Sequence, residues 1–425
     1  MDAGTAVALL GGAALRLALS QTPLPALLAS RPELSTPLSS WLRLQEGYHL
    51  LTRLVPPLNP YQAGSFHGPP LLLALVGPFT REPLNELPSY ALWTAADVGI
   101  AWALSRVAER RKRGKMLEDE GEKRWSGARV AAIYLFHPFS IATTLARSSV
   151  VFSNLFLALA LESALAGSLL PAVFLLSFAT HFSLYPLLLF PPLILLAHQC
   201  APPSSAVPSS IKKVGITATA AFLAHQAALL GLSCWLTGGW EFLRSAYGVI
   251  LTIPDLTPNI GLSWYFFIEM FDHFRAFFLC VFALHPLVYV APVTYFYRDD
   301  PLFAVVLHTG ATSLLKSYPS LGDYGLWHAL LACYSELLPY VHSPLFHFLL
   351  PLHALALLPS FHYLWLSSTQ GNANFFYAST LVWAVAMGGW VIEAMKARGR
   401  RAVVHAQTAE GRRLVREGKW AVVQR

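Results

Sequence analysis

Charged residues are scarce in this chain of 425 residues, since Asp, Glu, Lys and Arg together make up only 12% of it. A soluble protein of ordinary composition carries about 25%. Hydrophobic residues account for 55% of the sequence, and the mean hydropathy is +0.49. This balance excludes a soluble globular protein and indicates a polytopic membrane protein.

Cysteine is rare as well. The four cysteines, Cys200, Cys234, Cys280 and Cys333, stand far apart and form no CxxC pair, which is typical of buried apolar residues rather than of a metal or redox centre. The histidines show no HExxH or other paired ligand spacing, and the sequence holds no GxSxG and no Walker A loop. No pattern therefore predicts a metal, a cofactor or a catalytic residue.

Apolar sequence is abundant, but 30 prolines and 27 glycines interrupt it. These numbers predict broken helices, re-entrant segments and ordered loops, while 12 tryptophans suit many membrane–water interfaces. The expected fold is an all-α polytopic membrane protein with roughly 10–12 transmembrane helices. The apolar runs lie near residues 4–20, 88–106, 127–146, 151–165, 168–198, 214–236, 263–297, 301–316, 325–340, 343–366 and 376–395.

Three basic segments set the expected orientation. Residues 109–124 hold seven Lys or Arg, residues 211–213 hold two, and residues 396–425 hold nine. The positive-inside rule places all three in the cytosol, and the N-terminus with them. No base-reading motif accompanies the basic tail, so we expect no nucleic acid partner.

This orientation predicts a single multispanning membrane domain, 1–395, followed by a basic cytosolic tail, 396–425. Within the domain, residues 21–87 form the first lumenal segment, 107–125 a cytosolic loop and 199–213 a cytosolic connector. The polar, proline-rich stretches then collect on the lumenal side, which we expect to be organised.

The stretch GNANFFYAST, which begins at Gly371, places Asn372 and Asn374 just before the last apolar run. Each amide can donate and accept hydrogen bonds, and both point to one side if the segment is extended. Phe375 and Phe376 offer apolar and stacking surface at the lipid boundary. Two interpretations stay open: contact with a glycolipid, or a helix cap and turn before the last span.

Asp255 and Asn259 each follow a proline, Pro254 and Pro258, in the stretch PDLTPNIG. Prolines so close together predict a fixed, non-helical corner, and the chain topology places this corner on the lumenal side. The aromatic residues 264–267 then predict an interfacial belt.

Charged residues also occur within the apolar runs. Glu269 and Asp272 are three residues apart, a spacing that predicts one helical face, and an acidic pair in lipid is costly unless it faces a partner or a cavity. They predict a polar lining or a subunit contact, unless Arg275 or Lys316 neutralises them. Lys316 itself predicts either a side chain that extends to the interface or a phosphate contact.

The first lumenal segment resembles the first lumenal loop of multispanning glycosyltransferases that use dolichyl-phosphate sugars. That loop carries an acidic Asp-x-Asp motif whose carboxylates serve as metal ligand or base. The matching positions here, Thr36 to Ser40, hold no carboxylate. Because nothing is placed to activate an acceptor hydroxyl, glycosyl transfer is disfavoured.

Five stretches together resemble one family, the phosphatidylinositol-glycan class U subunit of GPI transamidase. The resemblance runs in order from about residue 30 to residue 380 and is most specific in the third stretch. The stretches are TPLSSWLRLQEGYHLL, NPYQAGSFHGPPLL, LTIPDLTPNIGLSWYFFIEMFDHF, KSYPSLGDYGLW and NANFFYA.

The resemblance implies a non-catalytic, multispanning subunit of the endoplasmic reticulum membrane, with a fold like that of the GT-C glycosyltransferases. It implies as partners a caspase-like cysteine protease subunit, further membrane subunits, membrane lipids and the GPI glycolipid. The family's GPI contact falls on Asn372 and Asn374. It extends less directly to Phe375, Phe376, Asp255 and Asn259.

Two other functions compete with this one. The first is an active mannosyltransferase that uses dolichyl-phosphate mannose in GPI biosynthesis, which the missing carboxylates at 36–40 disfavour. The second is a lipid transporter or scramblase, suggested by the broken helices and by Glu269 and Asp272. The sequence shows no inverted internal repeat, which disfavours a transporter.

Overall fold

The structure of the protein is a computed structural model that describes residues 2–63, 65–80, 86–113, 124–202 and 207–406. Parts of the predicted segments lie outside these described residues, namely 64 and 81–85 of the first lumenal segment, 114–123 of the cytosolic loop, 203–206 of the connector and 407–425 of the tail. The described residues form helices and connections but no β-strand, which confirms the all-α fold class.

The described chain forms two compact units. The first contains the residues up to Cys333 except Arg124, and the second contains Arg124 and the residues from Tyr334 onward. The predicted single domain, 1–395, runs through this boundary. It stays a prediction, because compact packing and independent folding are different properties.

The first unit is built from 18 α-helices among its described residues, with 3₁₀ turns at Gly77–Thr80 and Tyr185–Leu189 and a π-helical turn at Leu243–Gly248. The α-helices are α1 Ala3–Leu19, α2 Leu24–Ala29, α3 Trp41–Thr52, α4 Pro60–Ala63, α5 Pro70–Val76, α6 Leu87–Arg113, α7 Gly127–Leu135, α8 Pro138–Leu145, α9 Val150–Leu165, α10 Leu169–Phe182, α11 Phe190–Gln199, α12 Ile211–Thr237, α13 Val249–Thr252, α14 Ser263–Glu269, α15 Asp272–Val288, α16 Val290–Phe296, α17 Pro301–Leu315 and α18 Leu321–Ala332.

Prolines determine where several of these helices begin and end. The apolar run 127–146 becomes two helices because Pro138 follows His137, which takes an extended backbone conformation. Pro301 occupies the first position of α17, where its missing N–H costs nothing, and the Asp300 side chain caps the helix. The long apolar runs near 168–198 and 263–297 are each divided into more than one helix, as their length predicts.

Four described helical segments are long and apolar enough to cross a membrane, namely Ile211–Thr237, Asp272–Phe296, Pro344–Leu366 and Ala373–His405. In the apolar 18-residue stretch of each of these segments, at most 33% is buried within the chain, which leaves apolar surface for lipid. Six further apolar helices have 10–17 residues. The chain is an all-α polytopic membrane protein, while the count of 10–12 spans and the likeness to GT-C enzymes stay predictions.

A fully buried ion pair fastens α1 to its neighbours. Arg16 Nε on α1 donates to Asp97 Oδ2 on α6 at 2.8 Å, and neither side chain has any exposed surface. Another guanidinium nitrogen donates to the Ser140 hydroxyl at 2.5 Å. The hydroxyls of Tyr134 and Thr144 donate to the carboxylate, each at 2.6 Å. A buried pair is tolerated when hydrogen bonds surround both charges in this way.

The second unit is a helical hairpin of α19 (Pro344–Leu366) and α20 (Ala373–Ala406), preceded by a 3₁₀ turn at Ser335–Tyr340. Glu393 and Arg400 form an ion pair on α20. The guanidinium of Arg400 also donates to the last carbonyl of the 3₁₀ turn at 2.7 Å, so these contacts fasten one end of the hairpin. The short connection at the other end carries the asparagines.

Candidate functional site

The connection between α19 and α20 closes tightly on the end of α19. The Gly371 N–H donates to the Leu364 carbonyl at 2.9 Å. Asn372 comes next, and its Oδ1 accepts from the N–H groups of Asn374 and Phe375 at 3.1 and 3.4 Å. This is the geometry of a helix N-cap, and it confirms the cap interpretation of Asn372.

Both asparagine side chains are exposed nonetheless. Since the cap lets α20 begin at Ala373, the stretch is helical and not extended, so the condition under which both amides would point to one side is not met. The cap uses Oδ1 of Asn372 and not its amide nitrogen. Asn374 lies on the first turn of α20. A cap and a ligand contact are therefore compatible at this position.

The two phenylalanines that follow have different environments. Phe375 is 50% exposed, and its ring stacks on Phe361 with centroids 5.6 Å apart. Phe376 has no exposed surface, and its ring lies 5.4 Å from that of His362 and 6.3 Å from that of Trp365. Phe375 thus presents apolar surface beside the amides, whereas Phe376 packs the inside of the hairpin.

Asp255, in the first unit, is the centre of a polar cluster. Arg43 Nη1 donates to its Oδ2 at 2.6 Å, and His67 lies 3.6 Å from the same oxygen. The N–H of Thr257 donates to Oδ1 at 2.9 Å. Burial raises the pKa of this carboxyl, but hydrogen bonds from His67, Thr257 and Arg43 outweigh burial and hold the pKa well below 3.8. The carboxylate therefore joins the first predicted lumenal segment to the proline corner.

Asn259 stabilises the same corner from inside. Its Oδ1 accepts from the Gly261 N–H at 2.7 Å, its Nδ2 donates to the Thr257 carbonyl at 3.1 Å, and the side chain is fully buried. A Cβ on Gly261 would lie 2.6 Å from Pro319, so the corner packs closely against its neighbour. A ligand could reach Asn259 only if the corner opened.

Glu269 and Asp272 do not share a helical face, so this prediction is wrong. α14 ends at Glu269, Met270 is extended with φ −74° and ψ 133°, and Asp272 begins α15. Both carboxylates are exposed. Asp272 is stabilised in the first turn of α15 by the helix dipole. Arg275 donates instead to backbone carbonyls, including that of Ile253 at 2.8 Å.

One interpretation expected the Lys316 side chain to extend to the membrane interface, but the side chain turns instead to a carboxylate within the protein. Its ammonium lies 2.5 Å from Asp323, and the two side chains are only 10% and 11% exposed. Asp323 also accepts from the N–H and hydroxyl of Ser320 at 2.8 and 3.1 Å, which completes a capping box at the start of α18. A phosphate could bind Lys316 only in competition with this carboxylate.

Residues 36–40, which the resemblance to glycosyltransferases matches to an acidic motif, form a closed turn. The hydroxyls of Thr36 and Ser39 lie 2.9 Å apart, and both residues are buried. The Ser39 carbonyl accepts from the Ser149 N–H at 3.0 Å. The two hydroxyls bind each other instead of facing an opening.

Arg147 is a residue for which the sequence predicted no role. Its guanidinium lies 4.2 Å from the centre of the Trp41 ring and 4.6 Å from that of Tyr90, and it donates to the Ser89 hydroxyl at 3.2 Å. Its backbone has a φ of +51°, which a non-glycine residue adopts only where the surroundings hold it. Arg147 thereby joins α3 to α6. Its signal in the sequence is a lone arginine within an apolar run.

The similarity to known proteins covers residues of both units. A family model described as "GPI transamidase subunit PIG-U" matches residues 10–383. The chain is 34% identical over 397 residues to "GPI transamidase component GAB1" of Saccharomyces cerevisiae, with 92% of this chain and 94% of the relative covered. It is 31% identical over 411 residues to the Homo sapiens "GPI-anchor transamidase component PIGU", with 91% of each covered.

A third relative, "GPI transamidase component GAB1 homolog" of Schizosaccharomyces pombe, is 32% identical over 381 residues, with 89% of each chain covered. The family match contains every candidate position described above, from Thr36 to Phe376. The family match includes the proline corner, α19 and the start of α20. The chain belongs to the PIG-U family of GPI transamidase subunits.

Proposed function

We propose that this GPI transamidase subunit is non-catalytic and that it recognises the GPI lipid, positioning it for attachment to the C-terminus of proteins. One observation carries the proposal: Asn372, Asn374 and Phe375 are exposed together at the start of α20, beside two helices long enough to cross a membrane. A glycolipid has matching parts, because its sugar hydroxyls and phosphates suit amides and its acyl chains suit lipid-facing helices.

The N-terminus of α20 adds an electrostatic preference for anions. The helix has 34 residues, and the dipoles of its peptide groups give its N-terminus a partial positive charge. N–H groups at such an end commonly bind phosphate. The ethanolamine phosphates of a GPI head group would therefore be favoured near Asn374.

The remaining candidate residues would act less directly. Phe376 would keep the hairpin packed, while Asp255 and Asn259 would hold the proline corner in shape. The exposed carboxylates of Glu269 and Asp272 are available to contact another subunit. This division follows from the burial and the hydrogen bonds of each side chain.

The relatives are named as components of GPI transamidase, and we propose that this chain likewise assembles with other subunits in the endoplasmic reticulum membrane. The family resemblance implies that one of them is a caspase-like cysteine protease, which would carry out the catalysis. The hydroxyl turn of Thr36 and Ser39 supports a non-catalytic role, since it offers no carboxylate. The basic segments favour a cytosolic N-terminus and tail.

The test is GPI anchoring of a reporter in cells that lack the endogenous subunit. Asn372→Asp keeps the cap oxygen while removing the amide donor, and Asn374→Ala changes an exposed side chain. The double variant should assemble normally in a pull-down, leave the reporter unprocessed and accumulate free GPI. Gln370→Ala is the matched control, because Gln370 is an exposed amide in the same connection.

Normal anchoring by the assembled double variant would contradict the proposed contact. Loss of assembly in the double variant would assign the asparagines to subunit association instead. A separate result would contradict the non-catalytic role: transfer of mannose from dolichyl-phosphate mannose to a GPI precursor by the purified chain.

A further inference from the structure

A cavity of about 440 Å³ opens in the first unit, between the first turn of α1 and the last turns of α6. The proposed GPI contact uses none of its residues, so a role for this cavity is independent of that contact. The residues lining the cavity include Thr5, Trp102, Ser105, Arg106, Arg110 and Arg113.

The carboxylates around this cavity already have partners within the protein. Asp2 accepts a first-turn N–H of α1 at 3.0 Å, and Glu109 accepts the N–H at the start of α7 at 2.7 Å. Glu162 pairs with Arg110 at 2.9 Å. Backbone N–H groups thus hold the carboxylates of Asp2 and Glu109 in place, and Arg110 neutralises that of Glu162.

Two further guanidinium groups of this cavity have no ion pair closer than 3.6 Å among the described residues. Arg106 is 49% exposed, and its nearest carboxylate, that of Glu162, lies 3.6 Å away. Arg113 is exposed at the last residue of α6, and among the described residues it has no ion pair. A guanidinium has several N–H donors arranged in a fork that fits the oxygens of a phosphate.

The surroundings of the cavity suit the phosphate of a lipid better than a free phosphate. Trp102 is 36% exposed and lines the cavity together with Leu165. On α1, Val7 and Leu10 are 70% and 73% exposed, which leaves apolar surface for acyl chains close by. Tryptophan is enriched where a membrane protein meets lipid head groups.

We propose that this cavity binds the phosphate head group of an anionic phospholipid. Arg106 and Arg113 bind the phosphate, Arg110 remains paired with Glu162, and Trp102 contacts the glycerol and upper acyl region. The basic segment 109–124 predicts that this end of α6 is cytosolic, so the lipid comes from the cytosolic leaflet. Basic pockets between membrane helices on that side suit anionic head groups.

The test measures binding of a fluorescent phosphatidylserine to the full-length chain in detergent micelles, with phosphatidylcholine as the neutral lipid. Arg106→Gln/Arg113→Gln should weaken phosphatidylserine binding by about tenfold or more, since each basic group near such a surface contributes substantially. Lys212→Gln/Lys213→Gln is the matched control. It removes the same charge from exposed residues on the same predicted side, outside the lining of the cavity, and should leave binding unchanged.

Three results would overturn the proposal. The first is equal affinity for phosphatidylcholine and phosphatidylserine, since a phosphate site must discriminate by charge. The second is an equal loss of binding in the lysine control, which would indicate general surface attraction. The third is competition by inorganic phosphate at the same concentration as the lipid, which would make this a site for free phosphate. Arg106 and Arg113 are exposed, so the double variant should keep its fold.

Discussion

Removing the carboxylate of Asp97 is the most direct test of how α1 is held in the first unit. In Asp97→Ala, the guanidinium of Arg16 stays fully buried but loses its counter-charge, and breaking a buried pair in this way costs about 3–5 kcal/mol. The hydroxyls of Tyr134 and Thr144 also lose their acceptor, which adds about 1 kcal/mol or more each. Together these contributions predict a loss of stability of about 5–7 kcal/mol.

The measurement is the apparent melting temperature of the full-length chain in detergent, read from the fraction that stays monodisperse after heating. Arg16→Met/Asp97→Ala is the decisive comparison, because it leaves no buried charge. It should melt above Asp97→Ala although it carries one more substitution. If the effects of the two substitutions simply add, the pair is not coupled, and the reasoning about this ion pair is refuted.

Three further predictions concern the other polar contacts. Asp323→Ala removes both the ion pair to Lys316 and the capping box, so it should lower the melting temperature more than Lys316→Met does; an equal loss would contradict the role of the cap. Since the pKa of Asp255 is held below 3.8, its ionised form stabilises the corner above about pH 4, and this contribution fades as the pH falls. The protection of amides in residues 253–261, measured relative to their intrinsic exchange rate at each pH, should therefore fall on acidification, whereas Asp255→Asn should show low protection at every pH. Asn372→Ala should destabilise the first turn of α20 by about 1 kcal/mol through loss of the N-cap, while Asn372→Asp should not; exchange rates of the first-turn amides distinguish the two.

The start of α20 shows what the sequence predicted and what it left open. Asn372 beside a long apolar run predicted a helix boundary, and the structure has the helix beginning at Ala373. The sequence left cap and ligand contact as alternatives, because both use the same amide. Only the structure separates the oxygen that caps the helix from the nitrogen that the cap does not use.

The helix break between Glu269 and Asp272 could not be predicted in the same way. The extended residues there are Met270 and Phe271, neither of which carries the backbone signal of proline or glycine. Phe266 and Phe267 on α14 lie against Phe282 on α15, and this contact requires the chain to turn between the two helices. A spacing of three residues then predicted a shared face that does not exist.

The buried charges are an intermediate case. Arg16 and Asp97 each stand alone within apolar sequence, and an isolated charge in such a setting indicates a partner inside the protein. Their existence was therefore predictable, but their pairing was not. Residues this far apart in sequence meet only because α1 and α6 pack together, and neither helix carries a pattern that specifies the other.

The same ion pair has a consequence for how the protein is made. Arg16 and Asp97 are 81 residues apart, so at roughly 5–20 residues per second α1 is synthesised several seconds before its counter-charge. An arginine in a membrane-inserted helix costs about 2.5–3.5 kcal/mol at the helix centre and less toward an end, and Arg16 lies in the last turn of α1. We expect α1 to stay beside the translocon or a membrane chaperone during this interval, where crosslinking of nascent chains would detect it. Pairing with Asp97 would then allow α1 to leave that site.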